Sequence, residues 1–570
     1  MDLKSELARA LEKAGVKNAS GLLEVPPQKS MGDFALPCFS LAKEFKKNPV
    51  EIAAELNKKI VLPKGFSRSE LKGPYINFFV EESALAETAL NESRAQKKPA
   101  RKGKKIIVEY CQANPLKDFH IGHVRNICLG ESIARLLEAQ GKKVLRVDYG
   151  GDVGPHVSKS LYAYRNLWKG AVPKGIAEQG KWLGKLYAMG EKEVRDKEAL
   201  EDRMREMVVQ LEKGDKKLVS DWKKLRKMSL AYFDYIYKEL GIKFDRIILE
   251  SEVEKEGIKI ANQLYREGIA AKDDGALLVD LTKYNLDKFL VLKSDGAALY
   301  SSKDLALAKM KKQKLKAELS YNVVGSEQKF YFQQLIKTLE LLNQRKNEYC
   351  ETIHVPYELV MLEEKDNKSE KGKAIKMKSR EGNVITYIEL FEKVFQKTLA
   401  ETRQRHEDWS QKKVAETAKA IALAAIKFGM LAQDRNKTIV FNWDRATSIE
   451  GETGPFVMYS YARAQSILKK AGKFAAPKKP EFKAEKEKGL LSVISKYSEK
   501  AAEAEAQMSP HKIAHYLLEL ASTFNSFYHE VPVLKAGKGG RESRLLLVKA
   551  ASETIRKGME LLNITVVQEM

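Results

Sequence analysis

Two histidines three positions apart, His120 and His123, flank Gly122 in the segment EYCQANPLKDFHIGHVRN, Glu109 to Asn126. The segment lies where an apolar strand gives way to a helix. The first turn of a helix leaves its N–H groups without partners and carries the positive end of the dipole, so phosphates are welcome there. The two imidazoles would add donors toward a triphosphate, and Gly122 would leave room for a nucleotide ring against the backbone. About 250 residues later, AIKMKSREGNVIT, Ala374 to Thr386, reads as a cationic, glycine-containing loop between a strand and a helix. Lys376 there would neutralise charge building on the β- and γ-phosphates as pyrophosphate leaves, with Lys378 or Arg380 assisting. Alone, each motif has a plain reading, a helix start with incidental histidines or a solvated lysine-rich surface. On the two halves of one fold they describe chemistry on a nucleotide.

The elements that must position these residues are legible around them. KIIVEY reads as a buried strand, a helix with an apolar stripe through Ile127, Ala134 and Leu137 follows, and KVLRVDY is a second strand. This is a βαβ unit, right-handed by default. LSYNVVG and IHVPYELV bracket a helix of about Gln328 to Leu342, giving a second α/β half and one doubly wound parallel sheet over 106–400. A densely charged helical stretch, strongest from Trp168 to Leu240, reads as an insertion at about 166–290 that splits the sheet. Before the sheet, 94–105 has a linker signature, with seven cationic residues, one proline and no acid. Residues 1–93 form an α+β unit with an amphipathic first helix, a helix from about Ser40 to Lys59 and the strand GPYINFFV. From 401 to 570 nearly everything reads as helix, which predicts a bundle. Ala471 to Lys488 and Leu534 to Glu542 are expected as loops within it.

Composition sets the remaining limits. In 570 residues, 101 basic against 77 acidic side chains leave a net charge of +24, a balance that suits a polyanionic partner. Cys38, Cys111, Cys128 and Cys350 are scattered with no C-x-x-C pair, which argues against a disulfide framework and against a cysteine-built zinc site. The start, MDLKSELARALEKAG, alternates charges and is no signal peptide. The most apolar helical run, Ile421 to Ala432, is interrupted by Lys427 and is too short to span a bilayer. A soluble cytoplasmic protein without a membrane role is expected.

The histidine motif with its KMSKS-like loop, 374–384, resembles the class I aminoacyl-tRNA synthetases, and the surrounding residues resemble the arginyl-tRNA synthetase family along almost the whole chain. That family's first signature is matched by Glu109, Tyr110, Asn114, His120, Gly122, His123 and Arg125. DGAALYSSKDLALAK is similar to its next block and supplies Tyr300 and Asp304, and VVGSEQKFYFQQL supplies Gln328. FNWDRATSIEGETGPFVMYSYARAQSIL and HYLLELASTFNSFYHEVPVL resemble its anticodon-binding domain. GDFALPCFSLAKEFKKNPVEIA resembles its N-terminal added domain.

The resemblance implies a split Rossmann catalytic domain between an α+β added domain and an all-α anticodon-binding bundle. It implies a ligase that activates L-arginine with ATP, magnesium travelling with the nucleotide, and passes the arginyl group to tRNA(Arg). Bound tRNA is expected to be needed for activation, and the enzyme is expected to be a monomer with no zinc and no tightly bound cofactor. His120, His123 and Lys376 would be catalytic. ATP would lie against these and Gly122, Met377, Lys378, Ser379 and Arg380. Arginine would be held by Glu109, Asn114, His120, Tyr300, Asp304 and Gln328, the carboxylates of Asp304 and Glu109 facing a guanidinium that accepts bidentate partners. Tyr459, Tyr461 and Arg463 combine aromatic surface with charge suited to unstacked anticodon bases. Asp33, Phe34, Tyr75 and Asn77 are the corresponding candidates for the tRNA elbow, or for packing.

Two departures from the family pattern stand out. Gln112 occupies a position commonly held by serine, and the loop reads KMKSREGN, with Lys378 at a usual serine and Ser379 at the second lysine of the class motif. Lys373, Lys378 or Arg380 is expected to compensate. A synthetase for another amino acid, such as cysteine or glutamate, is the enzymatic rival. A catalytically impaired paralogue that only binds RNA is the alternative from another class.

Overall fold

The computed structural model describes residues 3–94, 101–195, 197–364, 373–376, 384–442, 448, 451–537 and 539–570, with side chains except at 29, 198, 362, 364 and 373–376. In the N-terminal unit the helix Leu3–Lys13 buries Leu3, Leu7 and Leu11, a stripe spaced by four. It packs in one core with Leu36, Phe66, Ile76 and Phe78. These come from β1 (Phe34–Pro37), β2 (Phe66–Lys72) and β3 (Tyr75–Val80), an antiparallel sheet in the order β1-β3-β2. The expected helix from Ser40 to Lys59 is broken. Helix Ala42–Phe45 stops at Lys46, which has φ of 50°, and Pro49–Lys59 restarts from Asn48, whose side chain accepts from Val50 N at 2.9 Å. Asn-Pro is a start signal, an N-cap followed by a ring fixed in helical φ.

The middle of the chain supplies β4 (Lys102–Glu109), β5 (Lys142–Gly150), β6 (Arg246–Leu249), β7 (Ala270–Asp273), β8 (Ala276–Val279), β9 (Phe289–Leu292), β10 (Ala317–Gly325) and β11 (Glu351–Tyr357). Five of these make one parallel sheet in the order β11-β10-β4-β5-β6. Both faces are covered, and neighbouring residues of β4 serve opposite faces, as a strand requires. Val108 packs with Ile127, Ile133 and Leu137 of helix Ile121–Ala139, whereas Ile107 packs with Ile260, Leu305 and Leu335 of three later helices. The strand order reverses between β4 and β10. A crevice opens there at the carboxyl ends of the strands, where such sheets hold ligands.

Two expectations about this region need correction. The segment read as linker runs into β4, because Lys102 to Lys105 pair with β5 at the sheet's near end. The stretch 166–290 is not helical throughout: after helix Lys216–Glu239, β6 joins the central sheet, helix Glu250–Arg266 follows, and β7, β8 and β9 form an antiparallel sheet of their own. Its short strands, four residues each, lack a long alternating signature beside the charged helices.

Beyond the central sheet lie β12 (Val360–Glu364), β13 (Lys373–Lys376) and, after helices Tyr387–Arg405 and Gln411–Leu431, β14 (Ile439–Phe441). They form a small sheet in the order β13-β12-β14, so the region from 401 contains a strand as well as helices. The helices Gly454–Ala471, Glu485–Ile494, Tyr497–Ala506, His511–Glu530 and Gly540–Leu561 complete a bundle whose core is continuous with helix Ile121–Ala139. Lys427, the charge that interrupts the apolar run, is buried at the seam, and its Nζ donates to Leu240 O at 2.7 Å and Asn563 O at 2.6 Å. Among the described residues no helix is long and apolar enough to cross a membrane.

Candidate active site

A cleft of about 670 Å³ occupies the crevice at the ends of β4 and β10. Glu109, Asn114, His120, Gly122, His123, Tyr300, Asp304 and Gln328, eight residues singled out by sequence, all line it. His120 is the N-cap of helix Ile121–Ala139, its Nδ1 accepting from Gly122 N at 3.2 Å. His123 Nδ1 in turn accepts from His120 N at 3.2 Å, and the two rings stack with centroids 3.8 Å apart. Each ring therefore uses Nδ1 as an acceptor, which assigns the proton to Nε2. Burial pushes His120 down to about 4 and His123 well below the ordinary imidazole range, with Lys117 adding to both effects. The pair presents neutral N–H donors. A Cβ on Gly122 would stand 3.0 Å from the His120 ring, so the glycine makes room for the capping imidazole itself.

The lysine loop is rooted in the same helix start at both ends. On its far side His120 and Thr386 form an antiparallel bridge, with Ile121 N donating to Ile385 O at 2.9 Å and Tyr387 N to Phe119 O at 2.8 Å. On its near side Lys376 ends β13, whose backbone pairs with β12 at Met361. Just ahead of β12, Leu359 O accepts from Arg125 Nη1 at 3.0 Å, while Arg125 Nη2 donates to Lys437 O at 2.8 Å and Asp434 O at 3.3 Å. Arg125 is fully buried, matched the family signature, and received no role from the sequence. Met377, Lys378, Ser379 and Arg380 lie outside the described residues, as does the side chain of Lys376.

The opposite wall of the cleft is acidic. Asp304 accepts from the Tyr331 hydroxyl at 2.5 Å and, among the described residues, forms no ion pair. Burial, with the Glu109 charge adding to it, pushes its carboxyl up to about 7. Glu109 differs. Its carboxylate is matched within the fold by Lys311 Nζ at 2.8 Å and Asn322 Nδ2 at 2.8 Å, so it is not the open guanidinium partner that sequence suggested. The sheet register sets Asn322 directly opposite Glu109. Glu250 also lines the cleft and lies 3.5 Å from Lys303 Nζ. Of Glu109, Glu250 and Asp304, Asp304 is the one with no ion pair among the described residues. The Tyr300 ring lies tilted against Tyr331 with centroids 4.8 Å apart, and Asn114 Oδ1 accepts from Gly151 N at 3.0 Å. Lys311, Tyr331, Asn322 and Glu250 escaped the sequence reading. Tyr331 lies inside the block VVGSEQKFYFQQL, three residues from Gln328, and Asn322 inside the strand LSYNVVG, but neither was given a role.

The RNA-binding candidates divide. Arg463 lies over both Tyr459 and Tyr528, 4.8 Å from each ring centroid, and its Nη1 donates to Asn525 Oδ1 at 2.6 Å. Tyr459, Arg463 and Tyr528 line an open cavity of about 700 Å³ with Trp409 and Lys535. Tyr461 does not reach it. Two residues along a helix is 200° of turn, which sends Tyr461 into the bundle core. In the N-terminal unit Asn77 is buried and Asp33 accepts from Val80 N at 2.8 Å, at the end of the central strand. Phe34 packs against the core, and Tyr75 meets exposed Phe39 edge-on at 5.5 Å. Three of these four are therefore engaged in packing and strand closure.

Comparison with known proteins agrees with this geometry. Residues 85–443 match the family model for the catalytic domain of tRNA synthetases class I (R), 457–570 the DALR anticodon binding domain, and 1–80 the arginyl tRNA synthetase N terminal domain. Arginine–tRNA ligases of Clostridium perfringens and Halothermothrix orenii are each 33% identical over 582 aligned residues, covering 100% of both chains. The structure of Thermus thermophilus arginyl-tRNA synthetase superposes with a TM-score of 0.84 at 28% identity, covering 100% of this chain and 99% of that one. Nothing in these relationships favours an RNA-binding protein without activity. Three successive domain matches, full-length kinship and a cleft at the sheet's switch point together make the chain a member of the arginyl-tRNA synthetase family, an ATP-using class I ligase that joins arginine to tRNA.

Proposed function

We propose that the cleft between β4 and β10 performs both steps of the ligation, with Asp304 as the residue that selects the side chain. The observation that carries this assignment is its lack of a cation. Glu109 and Glu250 have lysines of their own, while Asp304 has a hydroxyl and a carboxyl held near 7 by burial. A guanidinium supplies the missing charge and a planar set of donors. Tyr300 flanks the same end. Asn114 and Gln328 hold the α-amino and carboxylate end, leaving that carboxylate free to attack the α-phosphorus of ATP in line. His120 and His123 donate Nε2–H toward phosphate oxygens, and Lys376, Lys378 and Arg380 meet the charge that grows on pyrophosphate. A terminal ribose hydroxyl of tRNA then takes the arginyl group from the adenylate. Neither step requires a protein nucleophile.

Magnesium enters with ATP in this reading. The groups facing the phosphate side of the cleft are imidazole N–H donors, the backbone N–H groups of the helix start being spent on His120, His123 and Ile385, and such donors suit phosphate oxygens and not a cation. Tyr459, Arg463 and Tyr528 form the anticodon-facing surface, the protein acts as a monomer in the cytoplasm, and tRNA(Arg) must be bound for activation. Pyrophosphate exchange across the twenty amino acids, with and without tRNA, tests the whole. Exchange with arginine alone and only with tRNA present is expected; silence for every amino acid would overturn the reading.

A further inference from the structure

The cationic run that sequence read as a linker ends in a crowded place. Lys102 and Lys105 on β4, Lys142 and Lys143 on β5, and Lys314 and Lys316 just ahead of β10 are all exposed at the end of the central sheet away from the cleft. The three strands are neighbours, and the register sets Lys142 beside Lys102 and Lys143 beside Lys105. Adjacent strands run about 4.8 Å apart, so two pairs of like charges stand side by side, an arrangement that costs stability. Two acids at this end are engaged elsewhere, Glu318 by Lys104 at 3.5 Å and by Lys312, and Glu138 by Arg101 at 2.9 Å and Arg146 at 3.0 Å. Lys105 Nζ donates to Leu315 O at 3.4 Å, and none of the six lysines forms an ion pair among the described residues. A local rule broken without compensation inside the fold marks a place where the compensation comes from outside.

We infer that this end of the sheet binds the phosphate backbone of double-stranded RNA, apart from the tRNA served by the cleft. A polyanion relieves the repulsion and gives up counterions as lysines meet phosphates. The surroundings choose its kind. No aromatic occurs in 101–105, 142–143 or 312–318, and no large apolar side chain there is exposed. Unpaired bases therefore have nothing to stack on, and a lipid surface or an amphipathic peptide has no apolar anchor. A duplex keeps its bases stacked and offers phosphates alone, and in the A-form it is bound through shape and backbone. The place is also distinct from the catalytic one, since β4 is eight residues long, about 26 Å, and the cleft lies at its other end.

The test is filter binding of the full-length chain to a blunt RNA duplex of about 16 base pairs, with neither anticodon loop nor unpaired acceptor end, over a salt series. The triple variant Lys102→Gln/Lys142→Gln/Lys143→Gln is expected to lose about tenfold or more in duplex affinity at low salt and to flatten the salt slope by about three, one for each lost phosphate contact. Its KM for tRNA(Arg) in arginylation should stay within about twofold, because the sites are far apart. Its Tm should hold or rise, since the change removes repulsion and no ion pair. Lys102→Arg/Lys142→Arg/Lys143→Arg should keep both affinity and slope. A wild-type chain that does not bind the duplex, or a Lys→Gln triple variant that binds it like wild type, would overturn the inference. A KM for tRNA(Arg) that rises in step with the duplex Kd would overturn it too, by placing these lysines in the tRNA site. Equal affinity for one strand of the duplex alone would overturn the choice of a double helix.

Discussion

The backbones of His120 and Thr386 pair as an antiparallel bridge, so the start of the histidine helix and the far root of the lysine loop are one piece of structure. Arg125 does the equivalent on the near side, one helical turn further along. The histidines and the two roots of the lysine loop, separated by more than two hundred residues, are thereby held to one helix.

Arg125 should prove hard to replace. Arg125→Met would take from the Lys437 carbonyl its donor and from those of Leu359 and Asp434, which also accept from Ile439 N and Lys437 N, a second one, in a buried site. A loss of about 3 kcal/mol or more in unfolding free energy is expected from urea denaturation. Arg125→Lys can satisfy some of these acceptors, so it should recover part of the stability while losing kcat for pyrophosphate exchange, because the loop root shifts relative to the histidines.

The acidity of Asp304 gives arginine binding a pH dependence. Its folded value, about 7, lies above the ordinary 3.8, so its contribution to folding is full below the ordinary value and is lost as pH rises through about 7. Binding has the opposite sign, because a guanidinium favours the carboxylate. Arginine affinity should therefore fall by about tenfold per unit below pH 7, and Asp304→Asn should flatten that profile and lose more than tenfold in affinity at pH 8. Tight tRNA binding should survive the substitution. A pH-independent arginine Kd would remove Asp304 from the site.

The histidines should show no such titration. Burial keeps both neutral across roughly pH 5.5 to 8, so no imidazole step is expected in kcat for exchange over that range. His120→Asn retains an oxygen able to cap Gly122 N but removes the Nε2–H donor. A drop of about 100-fold in kcat with little change in Tm is the expected outcome.

The histidine motif was readable from sequence because its geometry is local: a cap, a glycine and a helix start within four residues. Asp304 was found by family spacing, but its solitude was not, since that depends on Lys311 of helix Tyr300–Gln313 meeting Glu109 at the end of β4, a long-range contact no local pattern encodes. The strands β7 to β9 were hidden by their brevity and by the charged helices before them. Tyr461 was misjudged for a reason visible in the helix repeat, since Tyr459 and Arg463 share a face and the residue midway between them cannot.

That contrast separates two tyrosines by experiment. Tyr459→Ala should weaken tRNA binding by about 1–3 kcal/mol, the worth of one stacked base, and leave the melting curve nearly unchanged. Tyr461→Ala should do the reverse, costing about 3 kcal/mol of stability through a cavity in the bundle. Filter binding at two salt concentrations and thermal melts of both variants would decide it, and equal tRNA losses would refute the division.

Lys427 ties together three places far apart in sequence, its own helix in the bundle, Leu240 at the end of the insertion, and Asn563 after the last long helix, with Asn563 Nδ2 also donating to Leu240 O at 3.0 Å. Bundle and catalytic body are riveted at that point. Any movement of the bundle against helix Lys216–Glu239 would have to break the bonds that Lys427 and Asn563 make to Leu240 O.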